Sequence, residues 1–301
     1  MTEKILVKKL TKFYDSFKAV SDVSFKVNEG EVFGLIGPNG AGKSTTMRSM
    51  LNFIYPSKGT ITINGLDSKT DYLKIRSFIG YLPGEFTTYE NMTGFDYLKH
   101  ILHLRKIPEK EGYVKNLAKR FDLDLTKKAK NLSKGNKQKI GIIQAFCHDP
   151  DVLILDEPTS GLDPLKQQVF DELVLECKEK GKTVFISSHV LPEVEMLCAR
   201  VAIIKDGKIV AENTMSKLKS MAMNRFEVIF KNEIKEKSFG KSIGVKNIVK
   251  SGDKYIFDIE GDVNKFIKII SENKVSVFKS IEPDLEEIFL SFYKKKRKNA
   301  K

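Results

Sequence analysis

Gly37-Pro38-Asn39-Gly40-Ala41-Gly42-Lys43-Ser44-Thr45 is the stretch that decides the fold. It fits the pattern G-x-x-x-x-G-K-[ST] and directly follows Glu31-Val32-Phe33-Gly34-Leu35-Ile36, a short apolar run that reads as a buried strand. From Ser44 onward, Met47, Met50 and Leu51 carry a helix. Strand, glycine-rich loop and helix together wrap backbone N–H groups around phosphate oxygens. Glycines allow the sharp turn and the close approach. The helix start adds unpaired donors and a positive dipole end. In that setting Lys43 is expected to reach the β- and γ-phosphates of a nucleotide, and the Ser44 hydroxyl to ligate Mg²⁺.

A second motif lies downstream. Val152-Leu153-Ile154-Leu155 is wholly apolar and ends in Asp156-Glu157-Pro158. Such a run reads as a central parallel strand covered on both faces. A carboxylate at its C-terminal end faces the crevice where α/β proteins bind ligands. Asp156 is a candidate Mg²⁺ ligand, direct or through water. Glu157 is a candidate to orient and deprotonate an attacking water. Thr159-Ser160-Gly161-Leu162-Asp163-Pro164 then makes a tight turn into a helix. Just upstream, Leu132-Ser133-Lys134-Gly135-Asn136-Lys137-Gln138-Lys139 opens a helix with Ile140, Ile143 and Phe146 near one face. Ser133 and the N–H groups after it would form an anion-binding helix start, and spacing alone does not say for which anion. The motifs together imply a chain that binds and hydrolyses a nucleotide to drive another process.

These motifs resemble those of the ATP-binding subunit of a bacterial ABC transporter, and the likeness runs from about Leu6 to Asn213. The resemblance implies ATP and Mg²⁺ as the bound species. It assigns 132–136 as the signature segment, which reaches the γ-phosphate held by a partner subunit. It makes Asp163 the D-loop aspartate, His189 in Ile186-Ser187-Ser188-His189 the switch histidine that contacts the γ-phosphate, and Tyr14 the aromatic that stacks on adenine. Two departures stand out. Lys134 and Asn136 occupy signature positions where the family usually has glycine and glutamine. In Ile79-Gly80-Tyr81-Leu82-Pro83-Gly84-Glu85, Gly84 takes the place of the Q-loop glutamine, and Glu85 is the candidate substitute.

Organisation along the chain agrees. Ser24-Phe25-Lys26-Val27 and Thr60-Ile61-Thr62-Ile63 read as antiparallel-type strands, with Asn64-Gly65 as a turn. From about 86 to 145 the pattern turns helical: Phe95, Leu98, Ile101, Leu102 and His103-Leu104 give one face, and Val114, Leu117 and Phe121 another. After Val152 strands and helices alternate, which argues for a parallel sheet with covering helices. The expected fold is α/β: a P-loop ABC ATPase core over 1–220, with a mixed sheet and a helical subdomain at about 86–145, then a small α+β domain over 221–301. That second part reads β-α-β-β-α-β, with a short helix near Phe239, a hairpin around Gly252-Asp253 and a terminal helix from Pro283. Such an ending resembles the tail of many bacterial exporter ATPases.

Composition bounds the rest. No run approaches the ~18–20 apolar residues needed to span a bilayer, and Met1-Thr2-Glu3-Lys4 opens no signal-peptide apolar region. Cys147, Cys177 and Cys198 are widely spaced and odd in number, which fits a reducing cytosol better than a disulfide framework or zinc site. Lysine and arginine total 52 against 39 acids, a net charge of +13. That balance reads as a solvated lysine-rich surface or as attraction to an anionic membrane face, above all through Lys294-Lys295-Lys296-Arg297-Lys298. Nucleic acid ranks last, because basic and aromatic residues are not interleaved in the RNA-binding manner. The expectation is a cytoplasmic protein, peripheral on the inner face of the membrane. It pairs with a separate transmembrane subunit and with a second ATPase copy or paralogue. Rival readings are a soluble ABC ATPase acting on ribosomes or DNA, disfavoured by the single P-loop, and a non-hydrolysing regulator, raised by Gly84.

Overall fold

The computed structural model describes residues 2–108, 110–221, 224–231, 234, 239, 244–260, 262–281 and 289. The chain divides into two compact units, Met1–Met215 and Ser216–Lys301. The first begins with two long strands, β1 (Glu3–Tyr14) and β2 (Phe17–Asn28), then β3 (Val32–Ile36) and α1 (Lys43–Met50). A hairpin of β4 (Lys58–Ile63) and β5 (Leu66–Asp67) leads to α2 (Tyr72–Phe78) and β6 (Ile79–Leu82). Three helices follow, α3 (Gly94–Leu104), α4 (Glu111–Arg120) and α5 (Lys134–Phe146). Strands and helices then alternate through β7 (Val152–Asp156), α6 (Pro164–Glu179), β8 (Thr183–Ser188), α7 (Leu191–Leu197), β9 (Arg200–Lys205) and β10 (Lys208–Thr214); α8 (Met215–Met221) begins at the last residue of this unit and belongs otherwise to the second.

Two sheets carry this unit. One is antiparallel, in the order β2-β1-β4-β5. Its Asn64-Gly65 turn has both residues at positive φ, 53° and 75°, as a tight two-residue hairpin requires. The other has the order β10-β9-β3-β8-β7-β6 and is parallel except for β10. Every residue of β3, β7 and β8 is buried, which explains the unalternating apolar runs Val32–Ile36, Val152–Leu155 and Val184–Ile186. Phe25 of the first sheet stacks on Phe33 and Phe185 of the second, with ring centroids 5.6 and 5.4 Å apart, and so locks the layers together.

The parallel order has one consequence that governs the site. β3, β8, β7 and β6 run side by side in the same direction, so their C-terminal ends open on one edge. The loops leaving those ends are 37–42, 189–190, 157–163 and 83 onward. All four motif segments converge there, at the crevice where open α/β sheets bind ligands.

Two helix-face expectations change. On α3 the buried residues include Tyr97, Leu98 and Leu102, whereas Leu104 is exposed. Aromatic contacts of Tyr97 with Phe86 and Tyr89 turn the helix that way. On α5 burial extends almost all round, from Gln138 to Ile143 plus Ala145 and Phe146, because β6, α3 and α4 pack around it. The Ile140–Ile143–Phe146 stripe is part of a helix buried on most sides beyond its first turn, rather than one side of an amphipathic one.

The second unit has β11 (Asn224–Phe230), β12 (Val245–Ser251), β13 (Lys254–Ile259), α9 (Val263–Ser271) and β14 (Val275–Ile281). All strand pairs are antiparallel, in the order β12-β13-β11-β14. With α9 between β13 and β14, this is the strand order of a split βαβ layout. Phe226, Phe257 and Phe266 form its aromatic centre with Val228, Ile259 and Ile270. Arg225 Nε donates to Asp258 Oδ1 at 2.6 Å, and Asn247 Nδ2 to Oδ2 at 3.2 Å, so the buried carboxylate is satisfied from both neighbouring strands. The expected helix near Phe239, the terminal helix from Pro283 and the basic run 294–298 lie outside the described residues, apart from Phe239 and Phe289 themselves. Among the described residues no helix is long and apolar enough to cross a membrane.

Candidate active site

The loop after β3 enters α1 through Gly42, whose φ of 105° is a left-handed conformation that side chains resist. A Cβ there would also lie 2.9 Å from the carbonyl oxygen of Ala19. The first turn of α1 holds no acidic residue and no side-chain cap, so its N–H donors face the crevice unneutralised. Pro38, Asn39, Gly40, Gly42, Lys43, Ser44 and Thr45 line a pocket of about 320 Å³ together with Tyr14, Phe17, Ala19 and Glu157. Gly37 and Ala41 sit beneath it: a Cβ on Gly37 would meet the Ile204 carbonyl oxygen at 2.4 Å, and Ala41 belongs to the core. Tyr14 is 43% exposed, with Lys12 Nζ 5.1 Å from its ring centroid. The Lys12 ammonium thus lies over the ring, which forms one wall of the pocket.

Lys43 is 6% exposed, and its ammonium has several partners. Nζ donates to the carbonyl oxygens of Gly37, at 2.6 Å, and Pro38, at 3.3 Å, and pairs with Glu157 Oε1 at 3.1 Å. The other carboxylate oxygen of Glu157 lies 2.7 Å from His189 Nδ1. Glu157 is thus held between two cationic or hydrogen-bonding groups at the pocket mouth. Its backbone is left-handed, φ 47°, and its N–H donates to Ser187 O at 3.1 Å.

Asp156 is 1% exposed. Ser187 Oγ donates to its Oδ1, fixing the carboxylate's orientation. Gly84 backs onto the same group: a Cβ at that position would stand 3.2 Å from Oδ2. The Ser44 hydroxyl on the pocket wall and the fixed Asp156 carboxylate at the neighbouring strand end are both hard-oxygen donors, the type that Mg²⁺ takes alongside phosphate oxygens and water. Glu85 is exposed and makes no side-chain hydrogen bond or ion pair among the described residues.

The segment 132–136 is not part of this pocket's lining. Ser133 caps α5, its hydroxyl accepting from Asn136 N at 3.3 Å, while Ser133 and Lys134 face solvent. Gly135 packs on the turn after β7, where a Cβ would be 2.5 Å from the Gly161 carbonyl oxygen. Asp163 caps α6 and accepts from Lys166 N at 3.0 Å.

The family model described as "ABC transporter" matches residues 20–160, which hold the P-loop, the signature segment and Asp156-Glu157. An ABC transporter ATP-binding protein of Methanocaldococcus jannaschii is 40% identical over 219 residues, 70% of this chain and 77% of that protein. The chain belongs to the ABC transporter ATP-binding family. YhaQ of Bacillus subtilis, also an ABC transporter ATP-binding protein, is 33% identical over 289 residues, 93% of this chain and 95% of its own, so that similarity extends through the second unit. A solved ATP-binding subunit of an ABC transporter superposes with a TM-score of 0.68 at 33% identity, covering 72% of this chain and 92% of that one. The chain is an ABC ATPase.

Several residues of this ABC ATPase site were given no role of their own by the sequence, although Gln138 and Ser187 lie inside quoted motif stretches. Phe17 faces Tyr14 across the β1–β2 hairpin end and lines the pocket. Gln138 reaches from α5 to the carbonyl oxygen of Pro158 at 2.9 Å. Ser187 holds Asp156. Glu193 collects the hydroxyls of Thr159 and Ser188. Each is a polar or aromatic residue within an ordinary-looking element, and only the convergence of strand ends gives it a place.

Proposed function

We propose that this ABC ATPase is the ATP-hydrolysing subunit of an exporter and gates a separate transmembrane polypeptide. It works as a dimer, with itself or a paralogue. Each ATP lies between the P-loop of one copy and 132–136 of the other. ATP binding closes the dimer and hydrolysis opens it. The observation that carries this reading is the grip on Glu157, with Lys43 Nζ at 3.1 Å and His189 Nδ1 at 2.7 Å, beside the pocket lined by the P-loop.

In this reading adenine stacks on Tyr14, and the loop N–H groups and Lys43 receive the phosphates. The γ-phosphate competes with Glu157 for Lys43. Once Lys43 turns to phosphate, Glu157 keeps His189 and has an oxygen free to take a proton from the attacking water. The second ring nitrogen of His189 is then placed for the γ-phosphate. Ser44 and Asp156 would hold Mg²⁺, which when bound neutralises charge on the β- and γ-phosphates. Exporter type is supported by Lys137-Gln138-Lys139 after the signature and by the split βαβ order of the second unit. A site on the cytoplasmic membrane face follows from the transmembrane partner, and the positive charge of the run 294–298 favours anionic lipid.

The test is Glu157→Gln. ATP affinity should stay within about threefold while steady-state hydrolysis falls by ~10²-fold or more, and an ATP-bound dimer should accumulate on size exclusion. Hydrolysis within threefold of wild type would remove Glu157 from the base role.

A further inference from the structure

Two loops of the site meet on one carboxylate that no motif includes. Thr159 follows Glu157-Pro158 on the loop leaving β7, and Ser188 ends β8 beside His189. Thr159 Oγ1 donates to Glu193 Oε1 at 2.6 Å, and Ser188 Oγ to Oε2 at 3.3 Å. Ser188 Oγ in turn accepts from Val190 N at 2.9 Å, which fixes the turn just after His189. Thr159 and Ser188 are buried. From the opposite side Gln138 Nε2 binds the carbonyl oxygen of Pro158. The Glu157–Asp163 loop is thus tied on one side to the signature helix and on the other, through Glu193, to the strand end that carries His189.

Glu193 stands in the first turn of α7, where an acid commonly complements the positive helix end. That task needs only an exposed carboxylate. Here the side chain is turned into the protein, and burial pushes its pKa up, with the charge of Glu157 adding to the shift. Asp171 lies near it on α6 with a buried Oδ1 that no described residue satisfies, and its pKa is pushed up to about 6 by burial and then by the charge of Glu193. A neutral side chain would avoid these penalties. An acid kept where it costs stability points to work at the site.

We propose that Glu193 is a positioning residue for hydrolysis, a strut joining Thr159 to Ser188 that keeps Glu157 and His189 in register. It acts through those residues and does not touch nucleotide. The proposal rests on the reading of Glu157 as the base.

The test uses the full chain, measuring kcat, KM for ATP and equilibrium ATP affinity. Glu193→Ala should lower kcat about tenfold with KM and affinity within about twofold, the pattern of a lost transition-state arrangement. Glu193→Gln keeps one acceptor oxygen and should lose only about threefold. Adding Thr159→Val to Glu193→Ala should cost nothing more, since the strut is already gone. Unchanged kcat in a folded Glu193→Ala overturns the proposal. So does an additive double variant, or a kcat loss matched by an equal loss of ATP affinity in both Glu193 variants. Glu157→Gln is run alongside. If it still turns over, the base reading fails. If it is dead while Glu193→Ala is fully active, only the strut fails.

Discussion

Glu157 occupies a left-handed backbone conformation that non-glycine residues seldom adopt, and it holds two partners while doing so. Strain of this kind costs of the order of 1–3 kcal/mol and persists where surrounding contacts over-determine it. Its N–H on Ser187 and the Gln138 contact to the next residue supply that constraint. A neighbouring residue tests how tightly the carboxylates are fitted. Gly84 stands where ABC ATPases usually have glutamine, and its backbone is against Asp156. Gly84→Ala would put a methyl 3.2 Å from Asp156 Oδ2 and 3.3 Å from Cγ, closer than carbon and carboxylate settle without movement. The Mg²⁺ concentration for half-maximal ATPase should therefore rise about three- to tenfold. Glu85 is exposed, so Glu85→Gln should leave the Mg²⁺ curve superimposable on wild type. ATPase rates against Mg²⁺ for the three proteins decide this. A shift in Glu85→Gln alone would show that Glu85, not the space at Gly84, governs the metal.

At the scale of elements, the apolar strands were readable because they are enclosed. β3, β7 and β8 sit in the middle of a sheet covered on both sides, so sequence and environment agree. α5 was legible as a helix but not in its environment. Gln138 and Lys139 are buried there because β6, α3 and α4 surround it, and no periodicity announces a polar residue reaching for a distant carbonyl. Phe17 and Glu193 were invisible for the same reason: their partners are brought in by hairpin pairing and strand order. The Asp171–Glu193 pair between α6 and α7 yields a pH prediction. Asp171 has its pKa raised from 3.8 to about 6 by burial and then by Glu193. A raised carboxyl pKa means the folded state holds the proton more tightly than the unfolded state, so its penalty is absent below about 3.8, grows as pH rises, and is complete above about 6. Asp171→Asn should raise Tm by a few degrees at pH 7.5, and the gain should shrink to nothing near pH 4. A constant difference across that range, in thermal melts followed by circular dichroism, would locate the effect in packing instead of charge.

On the scale of the whole molecule, the proposed dimer explains why two phosphate-oriented helix starts lie in different places on one chain. The α1 start, with Lys43 and Ser44, lines the pocket, while Ser133 at the start of α5 faces solvent and is absent from that lining. A second copy would bring its Ser133 to the first copy's P-loop. Sites built that way are composite, and composition can be tested by mixing. Lys43→Ala removes the ground-state phosphate contact on the P-loop side, and Ser133→Arg blocks the signature side with a bulky cation. Each homodimer then has a lesion in both sites and should be inactive. A mixed dimer gathers both lesions into one site and leaves the other with a native P-loop and a native signature. Half the dimers formed from an equal, freely exchanging mixture are mixed, and each has one intact site, so activity should return to roughly a quarter of wild type if sites fire independently. Subunit exchange is verified by fluorescence energy transfer between labelled copies before the ATPase assay. Recovery with exchange establishes shared sites. Exchange without recovery would mean that each site is built within one chain, or that neither fires unless both are whole, and Ser133→Arg paired with wild type separates those two: a single intact site beside a damaged one stays silent only in the second.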